Sequence, residues 1–331
     1  MGRLTAIVLG AAAGGGFPQW NCCCAVCRLA WAGDSRVVAR TQASVAVTGD
    51  GRHWVLLNAS PDLRQQIAAT KELHPQPLDP RPPDPRRSDL QPLDLQPFDL
   101  QPLDPKNGVR GSPIAAVVLT GAEIDQTAGL LNLRERQMFD LYATAQTVQV
   151  IADNPMFDVL APDMVARHAI RPGEPFELPG NLRAELFLVP GKVPLYLEGD
   201  DPDTDAETEA NVGIEVSVGG SRLAFVPGCG AMTPPLLERL SRADIVFFDA
   251  TLFTDDEMVA AGIGSKTGRR MGHMPVSGAD GSLAALAHIP ARRIHIHINN
   301  SNPILVAGSP QRRAVEEAGW DVAFDGMRIE T

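Results

Sequence analysis

The sequence predicts an α/β protein, a sandwich of two mixed β-sheets with helices on the outside. Two observations lead there. Hairpins and strand–helix units are spread along the whole chain rather than segregated into halves. Only one stretch, at about 75–107, reads as linker-like, so the 331 residues are expected to form a single domain, 1–331, carrying an insertion.

Residues 3–9 form an apolar run and are the first expected strand. Residues 43–47 run into the turn Gly49-Asp50-Gly51, and 53–58 return, which is a hairpin pattern. Residues 61–70 have helix-start chemistry, with Ser60 as N-cap and Pro61 at the first helical position. From about 75 to 107 Pro recurs with Leu-Asp, Phe-Asp and Leu-Gln, too often for a helix or a central strand. The expectation there is a solvated, polyproline-like or disordered insertion, with a partner-docking loop as the alternative. Residues 114–119 read as a buried strand and 125–134 as a helix entered from a polar loop. Strand–helix pairs are expected at 148–151 with 154–162, 244–249 with 254–261, and 293–298 with 309–318. Residues 211–218 and 221–226 make a hairpin around Gly219-Gly220.

The balance of 44% apolar and 21% charged residues is that of an ordinary globular protein. A net charge of −11, with no offsetting basic cluster, excludes a nucleic-acid or anionic-membrane surface. No apolar run reaches the roughly eighteen residues a membrane helix needs. The N-terminal apolar run reads as a buried strand rather than a signal peptide, since cleavage after it would discard the cysteines that follow. A cytoplasmic protein is expected, and the sequence is compatible with a homodimer.

Four of the five cysteines fall within residues 22–27, in Trp20-Asn21-Cys22-Cys23-Cys24-Ala25-Val26-Cys27. Neighbours that close suit a metal better than a disulfide framework. Cys22, Cys24 and Cys27 form a C-x-C-x-x-C pattern whose thiolates can converge on a turn at tetrahedral Zn–S distances of about 2.3 Å. The alternatives are buried inert cysteines and a redox pair of Cys24 with Cys27, which leaves Cys22 unexplained. Cys23 faces elsewhere, and Cys229 reads as a small buried hydrophobe or a soft ligand at a pocket rim.

The run Gly10-Ala11-Ala12-Ala13-Gly14-Gly15-Gly16-Phe17-Pro18-Gln19-Trp20-Asn21-Cys22 resembles the opening signature of the B proteins of pyrroloquinoline quinone (PQQ) biosynthesis. Arg40-Thr41-Gln42, Leu57-Asn58-Ala59-Ser60-Pro61-Asp62 and Pro190-Gly191-Lys192-Val193-Pro194-Leu195 fit the same family. So do Thr267-Gly268-Arg269-Arg270-Met271-Gly272-His273 and His297-Ile298-Asn299-Asn300-Ser301-Asn302-Pro303. The resemblance runs from residue 7 to about 330, interrupted mainly by the Pro-rich insertion. It implies a metallo-β-lactamase-like αββα fold, with a structural zinc on Cys22, Cys24 and Cys27 and an unassigned fourth ligand.

In dinuclear zinc hydrolases of that fold one loop reads T-H-x-H-x-D-H-x-x-G. Here it is Thr120-Gly121-Ala122-Glu123-Ile124-Asp125-Gln126-Thr127-Ala128-Gly129; Gly121, Glu123 and Gln126 stand at the histidine positions, and of the metal ligands only Asp125 remains. The bridging aspartate expected after residues 221–226 is replaced by Pro227-Gly228-Cys229. Too few ligands remain for a dinuclear hydrolase of the phosphodiesterase type. The resemblance implies instead a mononuclear site like that of non-haem Fe(II) oxygenases, two histidines and a carboxylate with open positions for O2 and substrate. Carried onto this chain, the ligands are Asp125, Gln126 and His297, with Gln126 a poorer ligand than the family's histidine. Glu123 is a compensating carboxylate, and His273 a compensating ligand or proton carrier. His295 alternates with His297, so both are expected on one side of a strand, His295 as a structural residue. Asp249 reads as support for the pocket or as a helix cap with Thr251.

The implied function is a step in building PQQ from a Glu–Tyr segment, an iron- and O2-dependent hydroxylation of the tyrosine ring. The competing reading is a non-catalytic carrier of PQQ or its precursor, aiding transport toward the periplasm. Lys192, Arg134 and Arg269 are the candidate cations for substrate carboxylates, with a solvated surface role the first expectation for each.

Overall fold

The computed structural model describes residues 3–75, 111–199 and 203–331. Most of the Pro-rich insertion read from the sequence lies outside them. The first sheet contains β1 (Thr5–Gly10), β2 (Ser44–Thr48), β3 (Trp54–Leu57), β4 (Ile114–Val118), β5 (Phe139–Ala143) and β6 (Val165–Ala169). The second holds β7 (Pro175–Leu178), β8 (Leu182–Gly191), β9 (Ala206–Val218), β10 (Ser221–Val226), β11 (Ile245–Asp249), β12 (Arg292–Ile296) and β13 (Trp320–Val322). The last strand, β14 (Arg328–Glu330), returns to the first sheet, giving orders β14-β1-β2-β3-β4-β5-β6 and β13-β12-β11-β10-β9-β8-β7. Both sheets are mixed: β1, β2 and β3 pair antiparallel, then β3, β4, β5 and β6 parallel, and β9–β10 is antiparallel while β10–β11–β12–β13 is parallel.

Strand alternation builds three apolar layers. Val45, Leu57 and Val118 of the first sheet meet Ile214, Phe225, Phe247 and Ile294 of the second in a dry inner core. The opposite faces are also apolar and carry the helices. Leu56, Val117 and Leu141 pack on Leu63 and Ile151, and Val246 and Phe248 on Leu236, Leu240 and Val315. This is the expected αββα sandwich. Among the described residues no helix is long and apolar enough to cross a membrane.

Several local expectations are corrected: the helix expected at 154–162 is only a 3-10 turn, Pro155–Val159, and that at 254–261 only Glu257–Ala260. Residues 148–151 are not a strand but part of the helix Ala145–Asp153, where buried Thr147 and Ile151 recur at i, i+4. The β-branched run that suggests a strand is the helix's packed side, and the strand of that region is β5. Helix Leu63–Ala69 begins two residues later than expected, and Ser60 does not cap it; its hydroxyl donates to Gln66 Oε1 at 3.1 Å. The expected helix 125–134 is a short helix, Ile124–Thr127, continued as a 3-10 turn over Ala128–Leu133.

Candidate functional site

The loop after β12 is the hub. Asn299 N–H donates to Thr251 O at 3.0 Å, and Asn302 Nδ2 to Ala250 O at 2.9 Å, which pins the loop against the end of β11. Ile298 pairs with Ala12 in the turn after β1. That turn leads directly into the cysteines, so His297 and Asn300 each reach a different cluster.

Sulfur bonds shape the first cluster. Cys22 Sγ accepts from Cys24 N–H, and Cys24 Sγ, the N-cap of helix Ala25–Trp31, accepts from Cys27 N–H, both at 3.4 Å. The sulfurs of Cys22, Cys24 and Cys27 come within 4.8 Å of one another, while Cys23 is exposed, as expected of a bystander. Asn300 closes the remaining side, its amide Nδ2 3.2 Å from Cys22 Sγ and 3.3 Å from Cys27 Sγ. Half a turn of the amide would present Oδ1 at the same place. Burial pushes the Cys27 thiol up to about 12. A cation among the sulfurs reverses that preference by stabilising the thiolates. Three sulfurs and an amide oxygen fit a closed tetrahedral zinc site.

The second cluster joins Asp249, His273 and His297, whose ligand atoms lie within 4.8 Å of one another. His297 Nε2 is 2.9 Å from Asp125 Oδ2. Its Nδ1 lies 2.9 Å from Thr251 Oγ1, which itself donates to Asp249 Oδ1 at 2.7 Å. His273 Nδ1 lies 2.7 Å from Asp249 Oδ2 and stacks on His297 with centroids 5.2 Å apart. Asp249 is wholly buried and also accepts from the Cys229 and Thr251 backbone N–H groups. Nδ1–H donation toward Asp249 and Thr251 orients both rings; His297 Nε2–H then donates to Asp125, and that proton is what a metal ion at the site would replace. Asp249 therefore supports the imidazoles; the alternative of a helix cap is not realised, since the next helix, Glu257–Ala260, is entered from Asp256.

Electrostatics fit the pairing. Burial opposes charge on Asp125, yet the hydrogen bond from His297 and the charges of His297 and His273 hold its carboxyl below the usual range. Burial likewise opposes the imidazolium of His297, but Asp125 raises it above its ordinary value.

Glu123 and Gln126 do not join this cluster. Gln126 Oε1 accepts from Glu123 N–H at 3.2 Å, closing a capping box on helix Ile124–Thr127. The Glu123 carboxylate turns to Lys192 Nζ at 3.3 Å and Leu195 N–H at 3.1 Å. A Cβ on Gly121 would lie 2.6 Å from Gln126 Oε1 and 2.9 Å from Ala210 O, so one lost histidine position is physically filled by the amide at another. Asn211 Nδ2 similarly bonds Val189 O and Gly228 O at 3.2 Å, beside the missing bridging aspartate. Cys229 is buried, with its Sγ 3.2 Å from Ala231 O, as expected of a small hydrophobe.

His295 corrects a further expectation. Strand β12 stops at Ile296, and His297 takes a left-handed φ of 57°, so the two histidines do not share a side. His295 stacks on Trp320 with centroids 4.0 Å apart, in the outer layer. Arg134 and Arg269 pair with their own neighbours, Glu135 and Asp280, while Lys192 lies by the site. Sequence reasoning missed Asn300 and Asn211; for Asn300 the Asn-rich loop was the available signal, and for Asn211 nothing local stood out.

The model of the beta-lactamase superfamily domain matches residues 83–298. The chain is 50% identical over 327 residues to coenzyme PQQ synthesis protein B of Methylobacterium nodulans, covering 98% of this chain and 99% of that one. It is 48% identical to the protein of the same name in Gluconacetobacter diazotrophicus, with the same coverage. The crystal structure of Zn(2+)-bound PqqB from Methylobacterium extorquens superposes with a TM-score of 0.88 at 47% identity, covering 99% of this chain and 100% of that one. A diphosphatase of the PhnP family, 21% identical, shares the fold with a TM-score of 0.62, covering 99% and 97%.

Proposed function

The chain belongs to the coenzyme PQQ synthesis protein B family of the beta-lactamase superfamily, and from that premise we propose that it is a mononuclear metal oxygenase of PQQ biosynthesis. Its reaction is hydroxylation of the tyrosine ring of a Glu–Tyr-derived intermediate. Asp125, His273 and His297 would hold the catalytic ion, with Asp249 behind the imidazoles, and Cys22, Cys24, Cys27 and Asn300 would hold a structural zinc. His273 takes the place first given to Gln126 or Glu123, since those two side chains are engaged elsewhere. The observation that carries the reading is the Asp125–His297 contact at 2.9 Å, with the far nitrogens of His297 and His273 both anchored by Thr251 and Asp249.

An Fe(II) ion held there would supply O2 activation. The chain's part is to orient both imidazoles through their Nδ1 partners and to hold the Asp125 carboxylate ionised. Gly14 lies against Asp125, a Cβ there standing 3.6 Å from Oδ2, so the Gly-rich turn covers the carboxylate with backbone alone.

Iron-loaded protein given a Glu–Tyr peptide intermediate and ascorbate should consume O2 and yield ring-hydroxylated product, and His297→Ala should lose this by about 100-fold or more. Absence of O2 uptake by loaded wild-type protein would end the hydroxylase reading. The filled space over Gly121 favours one second reading, a carrier of PQQ or its precursor. Tight PQQ binding without turnover would select it.

A further inference from the structure

Beside the second cluster lies a set of charges that neither metal site uses. Glu198 is nearly buried, with Lys192 Nζ 2.5 Å from one carboxylate oxygen. Arg270 Nη1 at 3.4 Å and Lys266 Nζ at 3.5 Å face the other. Burial opposes its charge, but Lys192 and the other cations hold its carboxyl below the usual range. Lys192 is itself only 11% exposed and also reaches Glu123, so three cations face two carboxylates. Lys266 and Arg270 keep 40% and 37% of their side chains open to solvent. In a chain of net charge −11, this local excess of positive charge is what an anionic ligand would be steered to.

The set touches the site from two directions. Glu123 stands two residues before Asp125, and Gly272, where a Cβ would meet Lys192 Cγ at 3.1 Å, immediately precedes His273. The turn Leu195–Leu197 is tied over the Asp125 loop by the Tyr196 hydroxyl, which donates to Ala122 O. Leu195, Tyr196 and Leu197 are exposed, an apolar edge next to the cations.

We propose that Lys192, Lys266 and Arg270 form the carboxylate-binding subsite of the Asp125–His273–His297 centre, and that Glu198 fills it in the ligand-free chain as an internal stand-in. The inference rests on the functional reading above and adds how the ligand is held, a carboxylate on the cations and an aromatic ring along the exposed apolar edge. One ligand carboxylate replaces that of Glu198 on the cations, and the ring lies along Tyr196 and its neighbours. The exchange swaps one carboxylate for another, so the cation set stays neutralised to the same degree. No bond is made or broken.

Benzene-1,3,5-tricarboxylate, titrated calorimetrically into zinc-loaded full-length protein, tests the subsite without any redox chemistry. Glu198→Gln removes the internal competitor and should bind about tenfold tighter than wild type. The double variant Lys266→Met/Arg270→Met, at two partly exposed positions, should bind about tenfold weaker. Its binding should also depend less on salt. Equal or weaker binding by Glu198→Gln would overturn the stand-in role, and unchanged binding by the double variant would overturn the subsite. Absence of binding in every form would overturn both. Iron content and O2 uptake, measured on the same proteins, report separately on the oxygenase reading.

Discussion

The thiol cluster and the carboxylate–imidazole cluster share one loop, residues 297–300, but are built in opposite ways. Cys22, Cys24 and Cys27 come from one turn, and Asn300 alone arrives from far along the chain. The second cluster is assembled from Asp125, Asp249, Thr251, His273 and His297, delivered by four separate segments. A local cluster depends on spacing and tolerates drift in the rest of the fold. A dispersed one depends on every strand end, and there the superfamily pattern is eroded, with Gln126 and Asn211 amides filling space beside lost ligands.

The largest effect that would break the comparison is at the thiols. Cys27→Ser, or zinc removal by a chelator, should destabilise the fold by on the order of 3–5 kcal/mol, read by thermal unfolding. Cys23→Ser, at an exposed position, should change nothing. Equal effects of the two would mean that the cluster is not a metal site.

Next is acid stability, which separates the two histidines of one segment. Burial pushes His295 down to about 3, below its ordinary 6.5. Its neutral form therefore contributes stability that is fully present above pH 6.5 and is lost as pH falls toward 3. The contribution is on the order of 4 kcal/mol by linkage. His295→Phe, which keeps a ring against Trp320, should flatten the stability curve across that window. An unchanged acid limb would sink the assignment of His295 as a dry structural residue.

Smaller effects probe the support of the second cluster. Asp249→Asn should weaken metal binding there by about 10–100-fold while leaving zinc at the thiols. Smallest is Gln126→His, which gives up the capping contact with Glu123 for about 1 kcal/mol of stability and should raise second-site affinity severalfold. A large gain in metal from that single change would show the wild-type site to be incomplete rather than reorganised.

The fold was legible wherever periodicity was strong: the β9–β10 hairpin, β11 and the apolar first strand read directly from alternation and turn residues. The stretch 148–151 misled because Val148, Val150 and Ile151 suit a strand as well as the buried side of a helix. Of the candidate site, the cysteines were legible because spacing alone carries them. Asp125 and His297 were legible through the family pattern. The partnership of Asp249 with His273, the turning of Glu123 to Lys192 and the left-handed turn at His297 arise from tertiary placement. Nothing local in the sequence encodes them.

The most direct test is metal content after anaerobic purification, comparing wild type with His273→Ala and His297→Ala. The account predicts one zinc and one Fe(II) per chain in the wild type, with iron lost and zinc kept in both variants. Zinc alone in the wild type, or iron unchanged by either substitution, would contradict it.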